Sequence, residues 1–254
     1  MTKLILSGCN GRMGRAVAEL CAAQPDMEIA AGIDLLGQSD REFPVLSSPA
    51  AFQGAADVLV DFSSPAALEP LLEFGRARRI PLVLCTTGYT QEQNEALQQT
   101  AAAVPIFRCA NMSLGVNVLL DLVRRAAAVL GEEYDIEIVE RHHSKKLDAP
   151  SGTALMLAGA AAESLPYRPD YVYERQSVRR ARDRSEIGIA SVRGGNIVGD
   201  HTVIFAGRDE VIELRHSAIS RKVFASGAVK AARFLAGETC PGLYSMADLL
   251  AQTD

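Results

Sequence analysis

The sequence predicts an α/β protein in two parts, an N-terminal domain built on a parallel sheet and a second domain of the α+β class. Two observations carry this prediction. Short apolar runs alternate with longer segments of helical period through the first 113 residues, a pattern typical of a parallel sheet covered by helices. After residue 185 the chain changes to successive β-rich runs, which favours a second sheet.

The first domain contains five apolar runs that we predict as strands: Lys3–Ser7, Glu28–Ile33, Val58–Asp61, Pro81–Cys85 and Val104–Cys109. An amphipathic helix is predicted over Arg12–Ala23. Ser63-Ser64-Pro65 has the chemistry of a helix start, because proline is favoured in a first helical turn. Thr90 and Gln93 form a capping box for a helix that ends near Ala103.

The second domain is predicted to begin with a long helix, Val116–Leu130. Its further predicted elements are the strand Asp135–Arg141, a helix from Thr153 to about Ala162, and the β-rich runs Glu186–Arg193, Thr202–Ala206 and Val211–Ser217. The polar, arginine-rich stretch Pro166–Ser185 is predicted to be an exposed loop. Two final helices, Val223–Leu235 and Met246–Ala251, are expected to pack back on the first domain. The predicted domains are therefore residues 1–113 with 222–254, and residues 114–221.

Composition limits the classes of function. The chain has 254 residues, of which 48% are hydrophobic, enough for a substantial core. Its net charge of −5 argues against a broad surface for nucleic acid or for an anionic membrane, because both partners favour basic faces. No apolar run approaches the roughly 20 residues that span a bilayer, and MTKLILSG is too short for a signal peptide. We expect a cytoplasmic protein that binds neither nucleic acid nor membrane.

The cysteines also bear on the compartment. They are odd in number, widely spaced and without a CxxC pair: Cys9, Cys21, Cys85, Cys109 and Cys240. This usage fits a reducing compartment better than a disulfide scaffold or a zinc site, and we predict small core residues.

A glycine-rich turn joins the first predicted strand to the first predicted helix. It reads Gly8-Cys9-Asn10-Gly11-Arg12-Met13-Gly14, and such a turn lets the backbone N–H groups at a helix start meet a pyrophosphate. The spacing is G-x-x-G-x-x-G rather than the usual G-x-G-x-x-G, and Asn10 replaces the middle glycine of the usual motif. Asparagine tolerates the left-handed region better than most residues. Asp34 follows 20 positions after Gly14, where a carboxylate can accept both ribose hydroxyls of an adenosine. The motif predicts a Rossmann-type dinucleotide site; a glycine-rich turn without a ligand is the alternative.

The surroundings of Asp34 favour NADH over NADPH. A carboxylate there repels a 2′-phosphate, and the next residue is Leu35 rather than an arginine that would pair with one. Arg12 and Arg15 lie near the loop and leave NADPH open. We therefore predict NADH, NADPH or both as cofactor, with a preference for NADH.

Two later loops also follow predicted strands, at the carboxyl ends where ligands bind in open α/β sheets. They read Thr86-Thr87-Gly88 and Ala110-Asn111-Met112-Ser113. Each taken alone is more often a plain turn than a site. Their position predicts that they lie beside the nicotinamide ribose and the nicotinamide ring.

The segment from Glu140 to Ala154, ERHHSKKLDAPSGTA, is the second candidate site. Its end begins a predicted helix, whose first N–H groups form a cradle for an anion such as a carboxylate. His142, His143, Lys145 and Lys146 add donors that can hold a second carboxylate and deliver a proton.

Other interpretations of this segment remain in view. Adjacent histidines and lysines on a loop are usually solvated surface residues without a ligand. A metal site on His142, His143 and Asp148 is disfavoured, because neighbouring lysines repel the ion and no standard ligand spacing is present, so we predict no metal. His201 and His216 are predicted to be structural or to lie at the rim of the site.

Together, five motifs resemble the 4-hydroxy-tetrahydrodipicolinate reductase family of the diaminopimelate route to lysine. They are GCNGRMGR, TTG, ANMSLGVN, ERHHSKKLDAPSGTA and VRGGNIVGDHTV, and they span nearly the whole chain. The resemblance implies a Rossmann-type domain, a second domain that binds a small dicarboxylate substrate and builds a homotetramer through its sheet, and reduction by NADH or NADPH. Two predicted domains imply closure around the substrate, which would exclude water and align donor with acceptor.

The resemblance also assigns roles to residues of the second domain. It makes His142 a proton donor or acceptor and Lys146 a proton donor. It makes His143 a substrate-binding residue, and it makes Gly152 and Thr153 the grip on a substrate carboxylate. The expected reaction is hydride transfer to an electron-poor carbon of a cyclic imine dicarboxylate, followed by protonation.

In the first domain the resemblance assigns the cofactor. Residues 8–13 would hold the pyrophosphate, Asp34 the adenosine ribose, and residues 86–88 with 110–113 the nicotinamide side. The chain departs from the family at Cys85, where a glycine is common, and at Leu35, where an arginine is familiar. Two other classes stay open: a different Rossmann-type oxidoreductase that acts on an amino acid or sugar acid, and a nicotinamide-binding regulator without turnover.

Overall fold

The computed structural model describes residues 1–37 and 41–252. The chain separates into two compact units. The first contains Met1–Leu114 and the chain from Arg221 onward, and the second contains Gly115–Ser220. Within the described ranges, no helix is both long enough and apolar enough to cross a membrane.

The first unit is built on a parallel sheet of seven strands. In chain order they are β1 (Thr2–Ser7), β2 (Met27–Ile33), β3 (Val45–Leu46), β4 (Val58–Asp61), β5 (Leu82–Leu84), β6 (Pro105–Arg108) and β12 (Gly242–Tyr244). Their order across the sheet is β12-β6-β5-β4-β1-β2-β3. All of these pairs are parallel, which confirms the predicted Rossmann-type sheet.

The helices of the first unit pack against its sheet and form its core. They are α1 (Arg12–Ala22), α2 (Leu68–Arg78), α3 (Gln91–Ala101), α6 (Lys222–Ala236) and α7 (Met246–Ala251). The apolar faces of α1, α6 and α7 share one buried cluster with the sheet, as Val17, Val229 and Leu249 show. The prediction that the last two helices pack back on the first domain is therefore confirmed. The predicted capping box of Thr90 and Gln93 at the start of α3 is present.

Three expectations for this unit need correction. The strands β3 and β12 escaped the sequence pattern, because two and three residues give too little periodicity for a signal. Pro65 begins a short 3-10 turn rather than the α-helix itself, which starts at Leu68. The cysteines are not all core residues, since Cys240 is exposed.

The second unit is built on a mixed sheet of five strands. They are β7 (Asp135–His142), β8 (Asp170–Val172), β9 (Glu186–Arg193), β10 (Gly199–Ala206) and β11 (Val211–Ala218). The order is β11-β10-β7-β9-β8, with β8, β9 and β7 parallel and β7, β10 and β11 antiparallel. The helices α4 (Leu114–Leu130) and α5 (Gly152–Ala162) contribute apolar residues such as Val123 and Leu157 to the cluster on one face of this sheet.

The stretch Pro166–Ser185 is more ordered than the exposed loop that we predicted. It contains β8, and its Arg182 donates hydrogen bonds to Asp135 at 2.7 Å and to Glu137 at 2.9 Å. Only 16% of the Arg182 side chain is exposed. Most residues of this stretch are exposed, as predicted. The prediction missed β8 and the anchoring of Arg182, because the carboxylates that hold this arginine lie on β7, more than 40 residues away in the chain.

Candidate active site

The glycine-rich turn after β1 has the backbone geometry of a dinucleotide loop. Gly8 has φ of +74°, and a Cβ there would lie 2.6 Å from the Phe62 carbonyl oxygen. The turn leads into α1, where Gly11 is the N-cap and no side chain caps the helix. The first helical hydrogen bond runs from Arg15 N to Gly11 O, so the amides of residues 12–14 precede it. This helix start suits a pyrophosphate.

Asp34 lies where the ribose contact was predicted. It follows β2, the neighbour of β1 on one side, while β4 lies on the other side of β1, so the strand order reverses between β1 and β4. Together with Gly8, Gly11, Leu35 and Ser63, it lines a cavity of about 440 Å³ within the first unit. Its carboxylate accepts hydrogen bonds from Asn10 N at 3.3 Å and Leu36 N at 3.4 Å. The cradle, the carboxylate and the cavity fit an adenine dinucleotide.

Several predicted cofactor residues can present only their backbone. Cys9 is fully buried, and its sulfur would touch a Cβ built on Gly32. Met112 is 4% exposed and belongs to the core cluster. Ala110 is exposed, whereas Asn111 is buried and accepts a hydrogen bond from Ser113 N at 2.9 Å. Any contact of residues 9 and 112 with a cofactor must therefore come from main-chain atoms.

Asp61 is a buried residue that ties two of the predicted cofactor-side loops together, and the sequence reasoning did not single it out. It ends β4 and is fully buried. Its carboxylate accepts hydrogen bonds from Thr86 Oγ1 at 2.6 Å and Ser63 N at 3.1 Å. It therefore fixes the Thr86-Thr87-Gly88 loop against the loop that follows β4. An aspartate that ends an otherwise apolar strand was the available signal.

Glu140 is the buried centre of the second candidate site. Its side chain has no exposed surface, and Arg193 donates to both of its oxygens, at 2.8 and 2.7 Å. Burial alone would raise the pKa of Glu140, but hydrogen bonds from Arg193 and His142 outweigh that penalty and lower the pKa to about 2. The group is a carboxylate at neutral pH. Its place in the alternating buried positions of β7, after Ile136 and Ile138, could have indicated it.

Glu140 connects the predicted acid to the predicted anion cradle. His142 Nδ1 lies 2.6 Å from Glu140 Oε2, and Ser151 N donates to Glu140 Oε1 at 3.1 Å. Ser151 is also the N-cap of α5, since its hydroxyl accepts from Ala154 N at 3.1 Å. One carboxylate thus holds both His142 and the start of the helix that begins at Gly152.

The loop between His142 and Ser151 positions the remaining predicted donors. Lys146 N donates to His143 O at 3.1 Å, so the chain turns directly after the histidines. Lys146 Nζ lies 2.8 Å from Asp148 Oδ2, and this ion pair lowers the pKa of Asp148. Lys145 is exposed. His143 Nδ1 is buried without a hydrogen-bond partner among the described residues.

His201 lies closer to the site than predicted. Its Nε2 is 2.8 Å from Ser151 Oγ, and its ring meets the His142 ring edge-on with centroids 5.2 Å apart. Burial, followed by the charge of His142, lowers the pKa of His201 from 6.5 to about 4. His201 is therefore neutral at neutral pH and adds no charge beside His142.

The depressed pKa of His201 predicts a pH-dependent stability. The unfolded chain takes up a proton below pH 6.5, whereas the folded chain resists it until about pH 4, so the free energy of unfolding falls across this window. Replacing His201 with glutamine should reduce the loss between pH 7 and pH 5 by about 2 kcal/mol. Urea unfolding at both pH values measures this. An equal fall in the free energy of unfolding in wild type and variant would contradict the assignment of His201 as a buried neutral histidine.

No group of three or more histidine, cysteine or acidic side chains is placed to hold a metal ion in the part of the chain that the structure describes.

A Rossmann-type unit with a dinucleotide cradle, joined to a unit with a carboxylate-held histidine at a helix start, defines a pyridine-nucleotide-dependent oxidoreductase.

Comparison with known proteins specifies the class further. Models of the dihydrodipicolinate reductase N-terminus and C-terminus match residues 2–112 and 115–250. The chain belongs to the dihydrodipicolinate reductase family. It is 50% identical to the 4-hydroxy-tetrahydrodipicolinate reductase of Caldanaerobacter subterraneus subsp. tengcongensis, over 98% of each chain. It is 47% identical to one from Clostridium perfringens, again over 98% of each.

A solved structure supports the same assignment. Dipicolinate-bound dihydrodipicolinate reductase from Paenisporosarcina sp. TG-14 superimposes with a TM-score of 0.81 at 25% identity, over 96% of this chain and 97% of that one. The predicted family resemblance is confirmed, and with it the oxidoreductase class.

Proposed function

We infer that this chain reduces 4-hydroxy-tetrahydrodipicolinate, or its dehydrated form, to tetrahydrodipicolinate with NADH or NADPH in the diaminopimelate route to lysine. Membership of the family over nearly the whole chain is the observation that carries this function. The alternative of a regulator without turnover is disfavoured, because a buried carboxylate that holds a histidine is the arrangement of a working acid or base. We place the reaction in the cytoplasm, where the free thiols of the chain fit a reducing environment.

His142 and Lys146 are the groups to which we assign the proton chemistry. A bound nicotinamide cofactor supplies the hydride, and the substrate ring must then gain a proton. His142 is held by Glu140 through Nδ1, and an imidazole fixed in this way can give or take a proton through its other ring nitrogen. Lys146 carries a positive charge that stabilises electron density on the ring, and it has a proton to donate.

The start of α5 is the grip that we propose for a substrate carboxylate. The amides of Gly152 and Thr153 precede the first helical hydrogen bond, which runs from Leu155 N to Ser151 O. Apart from the adjoining backbone, no atom of the described residues lies within 4 Å of a Cβ built on Gly152, so a ligand can approach the backbone there. The partly buried ring of His143, with its unpartnered Nδ1, is the proposed contact for the second carboxylate. A relative crystallised with dipicolinate, a planar dicarboxylate, supports this assignment.

Calorimetry with dipicolinate tests the dicarboxylate site directly. We expect dipicolinate to bind and picolinate, which lacks one carboxylate, to bind at least about tenfold more weakly, since a charged hydrogen bond contributes about 1.5–3 kcal/mol. Equal affinity for the two compounds would contradict a site for two carboxylates. Oxidation of an amino acid or a sugar acid with NAD⁺ would instead support the other class of Rossmann-type oxidoreductase.

We propose NADH as the preferred cofactor. Asp34 accepts ribose hydroxyls in this assignment, and Leu35, which is 92% exposed, offers no charge to a 2′-phosphate. Replacing Asp34 with alanine should weaken NADH binding about tenfold or more and NADPH binding less, because the carboxylate repels the phosphate. Fluorescence titration gives both dissociation constants. The ratio of the NADH and NADPH dissociation constants within one variant corrects for any disturbance of the loop, which affects both cofactors. Equal losses of affinity for NADH and NADPH would refute the ribose contact.

We propose that the sheet of the second unit builds a homotetramer. The helices α4 and α5 contribute to the core on one face, and the other face exposes Val192 and Val211 by 44% and 59%. Exposed apolar side chains on an ordered sheet favour a protein partner. Light scattering should give four times the chain mass of 27.2 kDa. The mass of a single chain at micromolar concentration would contradict the tetramer.

A further inference from the structure

We propose that Glu140 is a positioning residue that keeps the hydrogen of neutral His142 on Nδ1, so that His142 exchanges a proton with substrate only through Nε2. The inference deepens the proposed function and rests on it. Arg193 completes the arrangement as the cation that holds the Glu140 carboxylate in place. Neither Glu140 nor Arg193 need touch the substrate.

The first step of the argument is the chemistry of the 2.6 Å contact between Glu140 Oε2 and His142 Nδ1. An ionised carboxylate can only accept hydrogen bonds. Glu140 is ionised because Arg193 binds both of its oxygens and Ser151 N donates to Oε1. Nδ1 must therefore be the donor, and the neutral ring carries its lone pair on Nε2.

The second step is the set of charged and titratable groups that face His142. Arg193 reaches the pair from β9, and it also donates to the Asp148 carbonyl oxygen at 2.7 Å. His201 faces the ring from β10, and its depressed pKa keeps it neutral. Ser151 contributes an amide and a hydroxyl from the start of α5. Each group favours an anionic Glu140 or leaves it unchanged, so the acceptor character of the carboxylate persists across neutral pH.

The third step concerns the space at Nε2. No described residue donates to or accepts from this atom. Gly199 lies beside it, and a Cβ on Gly199 would come within 3.0 Å of Nε2, closer than carbon and nitrogen atoms pack without strain. The ring cannot retreat, because Nδ1 is held from the other side. Glycine at this position therefore keeps Nε2 open to a ligand.

The proton transfer then balances at a defined atom. In the imidazolium form both ring nitrogens carry hydrogen. After hydride has reached the ring carbon of the substrate, the Nε2–H bond breaks, its electron pair stays on Nε2, and the proton forms a new bond at the electron-rich ring position. The Nδ1–H bond to Glu140 persists throughout, so the product of the step is the neutral tautomer that Glu140 favours.

Nitrogen NMR of the full chain labelled with ¹⁵N-histidine tests the tautomer without substrate. His142 is assigned from the signal that disappears in His142→Gln. We expect neutral His142 to show a protonated Nδ1 and an unprotonated Nε2. In Glu140→Gln the amide can donate to Nδ1, so the Nε2-protonated form should rise. A neutral wild-type His142 with its hydrogen on Nε2 would overturn the proposal.

Kinetics of matched variants tests the consequence. Glu140→Gln should lower kcat by on the order of 10²- to 10⁴-fold, as expected for a histidine in the wrong tautomer, with a smaller change in KM. Glu140→Asp keeps the anion and should recover part of the loss. Gly199→Ala should lower turnover while the NMR signal still shows Nδ1–H. A Glu140→Gln protein with the altered tautomer and unchanged kcat would refute the positioning role.

These measurements separate the inference from the proposed function. The tautomer is read in the free protein, whatever substrate it accepts. A wild-type chain whose His142 carries its hydrogen on Nδ1 but which does not reduce the proposed substrate would contradict the proposed function and support the positioning of His142. A chain that reduces the substrate but carries the hydrogen on Nε2 would support the function and contradict the positioning.

Discussion

Replacing Lys146 with alanine is expected to lower kcat by about two to four orders of magnitude, the usual contribution of a positioned proton donor. The variant removes a cation that the turn after His143 places on the loop between β7 and α5. Lys145→Ala is the matched control. It removes the same charge from the neighbouring position, where the side chain is exposed. It should retain turnover within a few-fold, as expected for a charge in solvent.

Steady-state kinetics with saturating NADH measures both variants. NADH binding should be unchanged in each, since the proposed cofactor residues lie in the other unit. If Lys146→Ala and Lys145→Ala lose turnover equally, general positive potential explains the effect and the specific assignment of Lys146 is wrong. Lys146→Arg refines the answer, because arginine keeps the charge and does not give up a proton.

Replacing Arg193 with methionine is expected to lower the free energy of unfolding by about 3–5 kcal/mol. The change leaves the fully buried Glu140 carboxylate without the cation that binds both of its oxygens. Arg215→Met is the control, because Arg215 is 54% exposed and lies 3.5 Å from Asp200. Asp200 keeps its closer partner Arg141 at 3.1 Å in this variant, so we expect a loss of about 0–1 kcal/mol.

Urea denaturation at neutral pH distinguishes the two arginines, and the double variant Arg193→Met with Glu140→Gln gives a further check. Removing the buried charge together with its partner should restore much of the lost stability, because the penalty comes from the unpaired carboxylate. Losses of equal size in Arg193→Met and Arg215→Met would show that Glu140 is not the buried anion that we describe.

The fold of both units is largely predictable from the sequence. Buried parallel strands read as continuous apolar runs, so Val58–Asp61 was predicted with its observed bounds. The strand Glu186–Arg193 and the helix Met246–Ala251 were also predicted to the residue. The strands of two or three residues were not, because their pairing depends on neighbours in the sheet rather than on a local pattern.

The candidate site is predictable where its residues are close in sequence. The histidines, the lysines and the helix start of the second site lie within one segment of the chain. Arg193 was missed as a part of it, and His201 was predicted only as structural or at the rim, because they contact Glu140 and Ser151 across 53 and 50 positions of sequence. Glu140 itself was visible only as an acidic residue on the apolar side of a strand. The role of these residues depends on contacts with residues that are distant in sequence.

The most direct test of the central claim is an assay in which a synthase makes the unstable substrate from pyruvate and aspartate semialdehyde. Oxidation of NADH, and separately of NADPH, is then followed by absorbance with and without the synthase. We predict fast oxidation that requires the synthase, with NADH used better than NADPH. Absence of synthase-dependent oxidation of either cofactor, in a chain that still binds NADH, would contradict the proposed reduction.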